Sequence, residues 1–163
     1  YLVEQGFNEV EAAFSFGLVG MLAFAGMALT GLAADLWPRH IVATISYFLS
    51  LLGIGALVFL QFYQNWFVLS IFILGFGLSA GARGPIVTTL MAEIFAGRGL
   101  ASIYGAANLG QGVGAAFGAY SSGLFFDLTG NYNIGFAAYS IFAIVGAALF
   151  WLVPEIKLAK QTQ

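Results

Sequence analysis

The sequence contains no cysteine, little charge and a single histidine, His40. Without cysteine there is no disulfide framework, no thiolate metal site and no cysteine nucleophile. His40 lies beside Arg39 at the edge of an apolar run, and we interpret it as a basic residue at the membrane interface. Paired histidines, a nucleophile motif and a phosphate-binding loop are all missing, so we expect no enzyme, no metal and no cofactor. The few basic residues form no stripe, so we expect no nucleic acid partner.

The shortage of charge has a second consequence. Only 7% of the 163 residues are charged and 61% are hydrophobic, whereas soluble domains carry about 25% charged residues. Five basic and seven acidic side chains would not cover the surface of a soluble globule of this size. The surface must therefore face a lipid bilayer, which predicts an integral membrane protein.

Five apolar runs are long enough to cross a membrane, which takes about 20 residues. They are residues 14–34, 41–60, 66–91, 101–126 and 133–153. The connections between them are short and polar, which makes consecutive spans antiparallel neighbours. The predicted fold is an all-α integral membrane protein with five transmembrane helices.

The lysines and arginines outside the spans all fall on one side of the predicted membrane. Lysine and arginine accumulate on the cytoplasmic side of membrane proteins. One predicted side holds Arg39, Arg98, Lys157 and Lys160, and the other holds Glu4, Glu9, Glu11 and Asp127. We therefore expect the N-terminus outside, the C-terminus in the cytoplasm, and insertion in the plasma membrane.

The chain begins with Tyr1, and its first residues, "YLVEQGFNEVEAAF", carry neither a basic n-region nor a small-residue cleavage site. Both are expected of a secretory signal peptide. We therefore expect this chain to be a piece of a longer protein.

Glycines recur at helical spacing inside two of the spans. The third span has Gly77 and Gly81, and the fourth has Gly110, Gly114 and Gly118. Small residues let helix backbones approach closely in lipid, where packing must drive association. The stripes indicate either static helix packing or surfaces that move against each other; the sequence does not separate the two.

Arg83 stands inside the third span, in the stretch "GFGLSAGARGPIVTT". A charge there costs about 2.5–3.5 kcal/mol on insertion scales. Its side chain could extend to the membrane edge, or bind the Gly81 carbonyl that Pro85 leaves without a partner. Alternatively, it could face an aqueous cavity and bind an anion or a buried carboxylate.

The fourth span carries a polar face. Tyr104, Asn108 and Gln111 lie at i, i+4 and i+7, which places them on one side of a helix. Amides are poor lipid-facing groups, so we expect this face to point inward. It would then either bridge to another helix or line a substrate path.

The segment "GLAADLWPRH" resembles the signature loop of the major facilitator superfamily. Gly31, Asp35 and Arg39 match that motif, and the loop joins two spans on the predicted cytoplasmic side. The stretch "GARGPIVTTLMAEIFAGRGLASIYGAANLGQGVGAAFG" is similar to the tenth and eleventh spans of bacterial monocarboxylate and oxalate–formate carriers. The five spans would then be the eighth to twelfth of a twelve-helix transporter.

This resemblance implies a partner, a latch and a function. The partner is a missing N-terminal half of the same chain, and Gly31, Asp35 and Arg39 would belong to a cytoplasmic latch between the halves. Glu93 and Arg98 would form a similar pair in an inner loop. The implied function is secondary active transport, by symport or antiport, in a bacterial cytoplasmic membrane.

The expected substrate is a small organic anion such as a carboxylate, because Arg83 supplies a positive charge in the membrane. In alternating access the substrate lies near the midplane between two halves. Arg83, Tyr104, Asn108 and Gln111 are the substrate-path candidates. Two alternatives stay open: a five-helix membrane scaffold without transport, and a sensor derived from a transporter.

Overall fold

The computed structural model describes residues 1–95, 97 and 99–152, and every regular element in these ranges is an α-helix. The helices are α1 (Glu9–Leu36), α2 (Arg39–Leu60), α3 (Trp66–Ile94), α4 (Leu100–Thr129) and α5 (Asn133–Leu152). The expected all-α architecture with five helices is confirmed.

Polar residues in the connections fix where the helices begin and end. The Asn8 side chain accepts from the Glu11 N–H at 2.7 Å, and the Glu11 carboxylate accepts from the Asn8 N–H at 2.9 Å. This reciprocal capping box starts α1. The Asn65 side chain accepts from the Phe67 N–H at 2.9 Å and starts α3. Gly130, with φ 68°, ends α4 in the left-handed conformation that glycine adopts without strain.

Four of the helices, α1, α2, α3 and α5, are long and apolar enough to cross a membrane. Helix α4 is long enough to cross a membrane, with 30 residues, but it is not among these four. Its glycines, amides and hydroxyls lower its hydropathy below that of its neighbours. The fourth predicted span therefore forms a helix that is less suited than the others to face lipid on all sides.

Helix α3 lies at the centre of the bundle and packs along both α1 and α2, and α5 packs on α2. Helix α4 makes only a few contacts with α3 and α5, and none of its residues is buried. Consecutive helices alternate in direction, so the bundle has two ends. We call them the Arg39 end, where α2 begins and α3 ends, and the Trp66 end, where α3 begins.

Glycines bring α1 and α3 into backbone contact. A Cβ added at Gly81 would overlap the Ala23 carbonyl oxygen, and one added at Gly26 would overlap the Leu78 carbonyl oxygen. At Gly77 it would lie 2.8 Å from the Leu22 Cβ. Gly77 and Gly81 of α3 are thus required by the close approach of α1, as small residues at membrane helix interfaces are.

The core of the Trp66 end is closed by the segment that precedes α1. Leu60 and Leu69 are fully buried there, and Phe7 packs among them with 8% of its surface exposed. The Tyr1 hydroxyl donates to the Leu57 carbonyl oxygen near the end of α2. Terminal carbonyls of a helix have no partner within the helix, so Tyr1 satisfies one of them.

Candidate functional site

Arg83 lies on α3, and its guanidinium is held near the middle of the bundle. Side chains of a helix point back towards its N-terminus, and Arg83 accordingly extends towards the Trp66 end. One of its contacts is Ser50, which lies at the midpoint of α2. With about 1.5 Å per residue, α2 is about 33 Å long, so the charge lies far from both helix ends.

The hydrogen bonds of Arg83 come from one nitrogen. Its Nη2 donates to the Ser50 hydroxyl on α2 and, at 2.9 Å, to the Tyr139 hydroxyl on α5. The guanidinium carbon also lies 5.0 Å from the centre of the Tyr47 ring, within the range of a cation–π contact. Arg83 therefore joins three helices through partners that are all uncharged.

The Ser50 hydroxyl is fixed in direction. It donates to the Ser79 hydroxyl at 2.7 Å, and Ser79 donates to the Phe76 carbonyl oxygen at 2.9 Å. Both serines are fully buried. Because each hydroxyl uses its hydrogen on the next group, the lone pairs of Ser50 are free to accept from Arg83. We call Tyr47, Ser50, Ser79, Arg83 and Tyr139 the Arg83 cluster.

A cavity of about 20 Å³ lies beside this cluster. Helices α2, α3 and α5 supply its lining, which consists of Ala43, Ser46, Tyr47, Arg83, Ile86, Val87 and Phe150. A volume of this size accommodates about one water molecule. Two buried polar atoms of the lining residues, the Ser46 Oγ and the Arg83 Nε, have no hydrogen-bond partner among the described residues.

These contacts bear on the three interpretations of Arg83 that the sequence leaves open. The guanidinium is directed to the bundle interior, so the interpretation in which it extends to the membrane edge is wrong. Its hydrogen bonds go to Ser50 and Tyr139 rather than to the Gly81 carbonyl. Arg83 does line a small cavity, as the third interpretation expects, and its binding of an anion stays a prediction.

The polar face of α4 lies apart from the Arg83 cluster. Tyr104, Asn108 and Gln111 are all exposed in this chain, and none of the partners found for Arg83 is on α4. The Asn108 amide donates to the Tyr104 carbonyl of its own helix. Tyr104 lines an open groove between α3 and α4 together with Thr88. Apart from this groove beside Tyr104, the described helices leave the polar face of α4 uncovered, because α4 lies at the edge of the bundle.

The glycines of α4 share this exposure. A Cβ added at Gly110, Gly114 or Gly118 would meet no described atom within 4 Å. The glycines of α4 therefore have the spacing of a packing surface, but no described helix packs on them. Gly77 and Gly81 of α3, by contrast, lie against α1.

One residue of the motif at the α1–α2 connection, Arg39, contacts the end of α3. Arg39 forms an ion pair with Glu93, and both side chains are largely covered. Arg98, the predicted partner of Glu93, lies outside the described residues, so that pair stays a prediction. Asp35 is exposed near the end of α1, and a Cβ added at Gly31 would meet no described atom within 4 Å.

Most of the Arg83 cluster was not predicted from the sequence. Ser46 and Ser50 lie one turn apart on α2, and Ser79 lies one turn before Arg83 on α3. Hydroxyls at i and i+4 share a helix face, and this spacing on two neighbouring spans was a usable signal. Tyr139 carried no comparable signal, because its position depends on how α5 packs on α2.

Comparison with known proteins identifies the family. The Major Facilitator Superfamily profile matches residues 1–163. Monocarboxylate transporter 13 of Rattus norvegicus is 24% identical over 158 residues, which is 95% of this chain and 36% of that protein. Monocarboxylate transporter 13 of Bos taurus is 23% identical over 158 residues, again 95% of this chain and 36% of that protein. No solved structure matches.

The chain thus spans about a third of the length of the curated relatives it matches. The expected family is confirmed by a match that extends over all 163 residues, whereas the narrower resemblance to bacterial carriers stays a prediction. A transporter family also agrees with the expectation that the chain is not an enzyme. The chain belongs to the Major Facilitator Superfamily, and it is an integral membrane protein built of α-helices.

Proposed function

We propose that this chain is part of a secondary active transporter for small organic anions, with Arg83 as the residue that binds the carboxylate. The observation that carries the proposal is the guanidinium itself, which is held in the bundle interior by uncharged partners and whose buried Nε has no hydrogen-bond partner among the described residues. A buried charge is stabilised by an opposite charge, and an arginine matches a carboxylate through two parallel hydrogen bonds. The relatives are named as monocarboxylate transporters, which supports a carboxylate substrate.

The proposed transport cycle is alternating access by symport or antiport, in which two halves of the protein rock about a site near the midplane. The second half would be an N-terminal half of the same chain, packed on the exposed faces of α4. Tyr104, Asn108 and Gln111 would then line the path between the halves. Support for this arrangement comes from the unburied surface of α4 and from the share of the relatives that the chain covers.

The proposed orientation places the Arg39 end in the cytoplasm and the Trp66 end outside. The basic residues outside the spans support it. Gly31, Asp35 and Arg39 would act as part of a latch at the cytoplasmic surface, and the Arg39–Glu93 ion pair would hold that loop to the end of α3. A bacterial cytoplasmic membrane remains part of the proposal.

Uptake of radiolabelled L-lactate by the full-length protein in liposomes tests the function. Lactate uptake should saturate and be inhibited by acetate and pyruvate, but not by lactamide, which has the same shape without the charge. Arg83→Gln should abolish saturable uptake, and Arg83→Lys should retain little, since an ammonium lacks the planar fork. Lys160→Gln, which also removes one positive charge but at a residue with no proposed role in the transport cycle, is the matched control and should leave the KM for lactate unchanged.

Two results would contradict the proposal. One is that lactate, acetate and pyruvate all fail to enter or to compete in the wild-type protein. The other is a wild-type KM for lactate in both Arg83 variants, which would leave Arg83 with a purely structural role.

A further inference from the structure

A groove of about 460 Å³ runs between α2 and α5. Its lining on α2 extends from Leu51 to Gln61, which at about 1.5 Å per residue is a length of about 15 Å. Its lining on α5 extends from Asn133 to Ser140. Both helices are long and apolar enough to cross a membrane, so the groove follows the direction of the surrounding lipid chains.

The groove is open because small residues form part of its lining. Gly55 of α2 and Ala137 of α5 are exposed there, and a Cβ added at Gly55 would meet no described atom within 4 Å. Val58 and Phe136 contribute larger apolar side chains. The Ser140 hydroxyl donates to the Phe136 carbonyl of its own helix. Away from the Trp66 end, the groove therefore offers an apolar surface.

The opposite part of the groove, at the Trp66 end, is polar. The Gln61 amide nitrogen donates to the Asn133 amide oxygen at 2.7 Å and so joins α2 to α5. An amide nitrogen carries two hydrogens, so this bond leaves one N–H of Gln61 and both of Asn133. The two amides lie where α2 ends and α5 begins, beside Tyr132. Tyrosine is typical of the membrane–water interface, which places the amides at that level.

The dimensions of the groove restrict what it can hold. A volume of about 460 Å³ over a length of about 15 Å gives a mean cross-section of about 30 Å². A helix with its side chains is about 10–12 Å across, which is too wide for this space. A single extended hydrocarbon chain suits it, so a membrane lipid fits the groove better than a helix of a second protein copy.

From this shape and polarity we propose that the groove binds one phospholipid of the membrane leaflet at the Trp66 end. One acyl chain would lie along Gly55 and Ala137, and the amides of Gln61 and Asn133 would donate to its ester or phosphate oxygens. The acyl chain is surrounded by hydrocarbon whether it is bound or free, so close packing and these hydrogen bonds must supply the affinity.

The bound lipid would bridge α2 and α5. Helix α5 has a single buried residue, Ala143, among its described positions, so a ligand that contacts both helices would add to a sparse interface. This inference goes beyond the proposed transport function and does not rest on it.

Photocrosslinking of the full-length protein tests the apolar part of the site. The nanodiscs contain phosphatidylethanolamine, phosphatidylglycerol and a phosphatidylethanolamine with a diazirine on one acyl chain, and mass spectrometry locates the crosslinks. Residues 51–62 should be labelled severalfold more than the lipid-facing residues 141–149 of α5. Ala137→Leu should lower the labelling of residues 51–62 about five- to tenfold, because leucine takes the place of the acyl chain. Ala148→Leu, the same change at an exposed position of α5 outside the groove, should leave it within about twofold.

Native mass spectrometry of the full-length protein tests the polar part. Gln61→Met keeps the length of the side chain but removes the amide, and it should raise the Kd for phosphatidylethanolamine about three- to tenfold. Gln64→Met makes the same change at an exposed residue of the α2–α3 connection that does not line the groove. This control should keep the wild-type Kd.

Three results would overturn the inference. One is labelling that is equal on residues 51–62 and 141–149, or that Ala137→Leu leaves unchanged. Another is a wild-type Kd for phosphatidylethanolamine in Gln61→Met, because the amides would then not recognise the lipid. The third is a dimer that Ala137→Leu dissociates, which would assign the groove to a second copy of the chain.

Discussion

Helices α3 and α4 have nearly the same length, 29 and 30 residues, and both carry glycines at i+4 spacing, but their surroundings are opposite. Gly77 and Gly81 of α3 lie against α1, and buried residues occur along most of that helix. The glycines of α4 meet no described atom, and α4 has no buried residue. The comparison shows that a glycine stripe specifies a surface that can pack closely, while the partner that packs there lies elsewhere in the sequence.

The same contrast separates the two sets of candidate residues. Arg83 belongs to a network whose members lie on α2, α3 and α5. Tyr104, Asn108 and Gln111 are exposed on α4. The Arg83 cluster is thus enclosed by described helices, whereas the polar face of α4 is not. If the proposed second half covers α4, it would complete the surroundings of that face. Three predictions test this contrast.

The largest effect is expected at Gly81. In Gly81→Val the added carbons would overlap the Ala23 carbonyl of α1, and we expect a loss of about 3 kcal/mol of stability, at the upper end of overpacking costs. Gly84→Val is the matched control on the same helix, because a Cβ there meets no described atom within 4 Å. The unfolding midpoint of the full-length protein in detergent measures both. Equal midpoints for the two variants would contradict the close α1–α3 contact.

A smaller effect is expected at Gly114 of α4. If the proposed second half packs on this helix, Gly114→Val should cost about 1–3 kcal/mol in the full-length protein although it disturbs no described contact. Leu109→Ala, a truncation of an exposed side chain on α4, serves as the comparison variant. The same detergent unfolding measurement applies. A Gly114→Val midpoint equal to that of wild type would mean that this stripe faces lipid, and α4 would then lie at the outside of the whole protein.

The fold was largely predictable from the sequence because lipid imposes simple rules. Backbone groups must be satisfied within each helix, so long apolar runs predict helices and the polar connections predict their ends. The runs 41–60 and 66–91 correspond to α2 and α3 with differences of up to three residues. Helix α1 starts five residues before residue 14, at Glu9, because the Asn8 capping box extends it beyond its apolar part.

The site was predictable only in part. The cost of a charge in the membrane singled out Arg83, but the direction of its side chain depends on which helices surround it. Periodicity places Ser46 and Ser50 on one face of α2 without showing that this face meets Arg83. Glu93 illustrates the same limit: its ion pair with Arg39 across the bundle end was not predicted from the sequence, while the expected pair with Arg98 stays a prediction.

The smallest effect is expected at Tyr1, which packs on the core of the well-packed helices at the Trp66 end. Burial raises the pKa of the Tyr1 phenol above its ordinary 10.0, and its hydroxyl donates to the Leu57 carbonyl. Tyr1→Phe keeps the ring contacts with Tyr132 and Phe136 and should cost about 1 kcal/mol at pH 7, the value of one hydrogen bond.

This contribution should depend on pH in a defined direction. A pKa that is higher in the folded state than in the unfolded state gives stability that is complete below the unfolded value and is lost as the pH rises through the folded value. The phenol of Tyr1 donates only while it is protonated, so its deprotonation removes the bond to Leu57. The difference in unfolding midpoint between wild type and Tyr1→Phe, measured in detergent, should therefore be constant from pH 7 to about 9 and shrink above about 10. A difference that persists unchanged at pH 11 would mean that the hydroxyl stabilises α2 through something other than its proton, and the Leu57 carbonyl would need another partner.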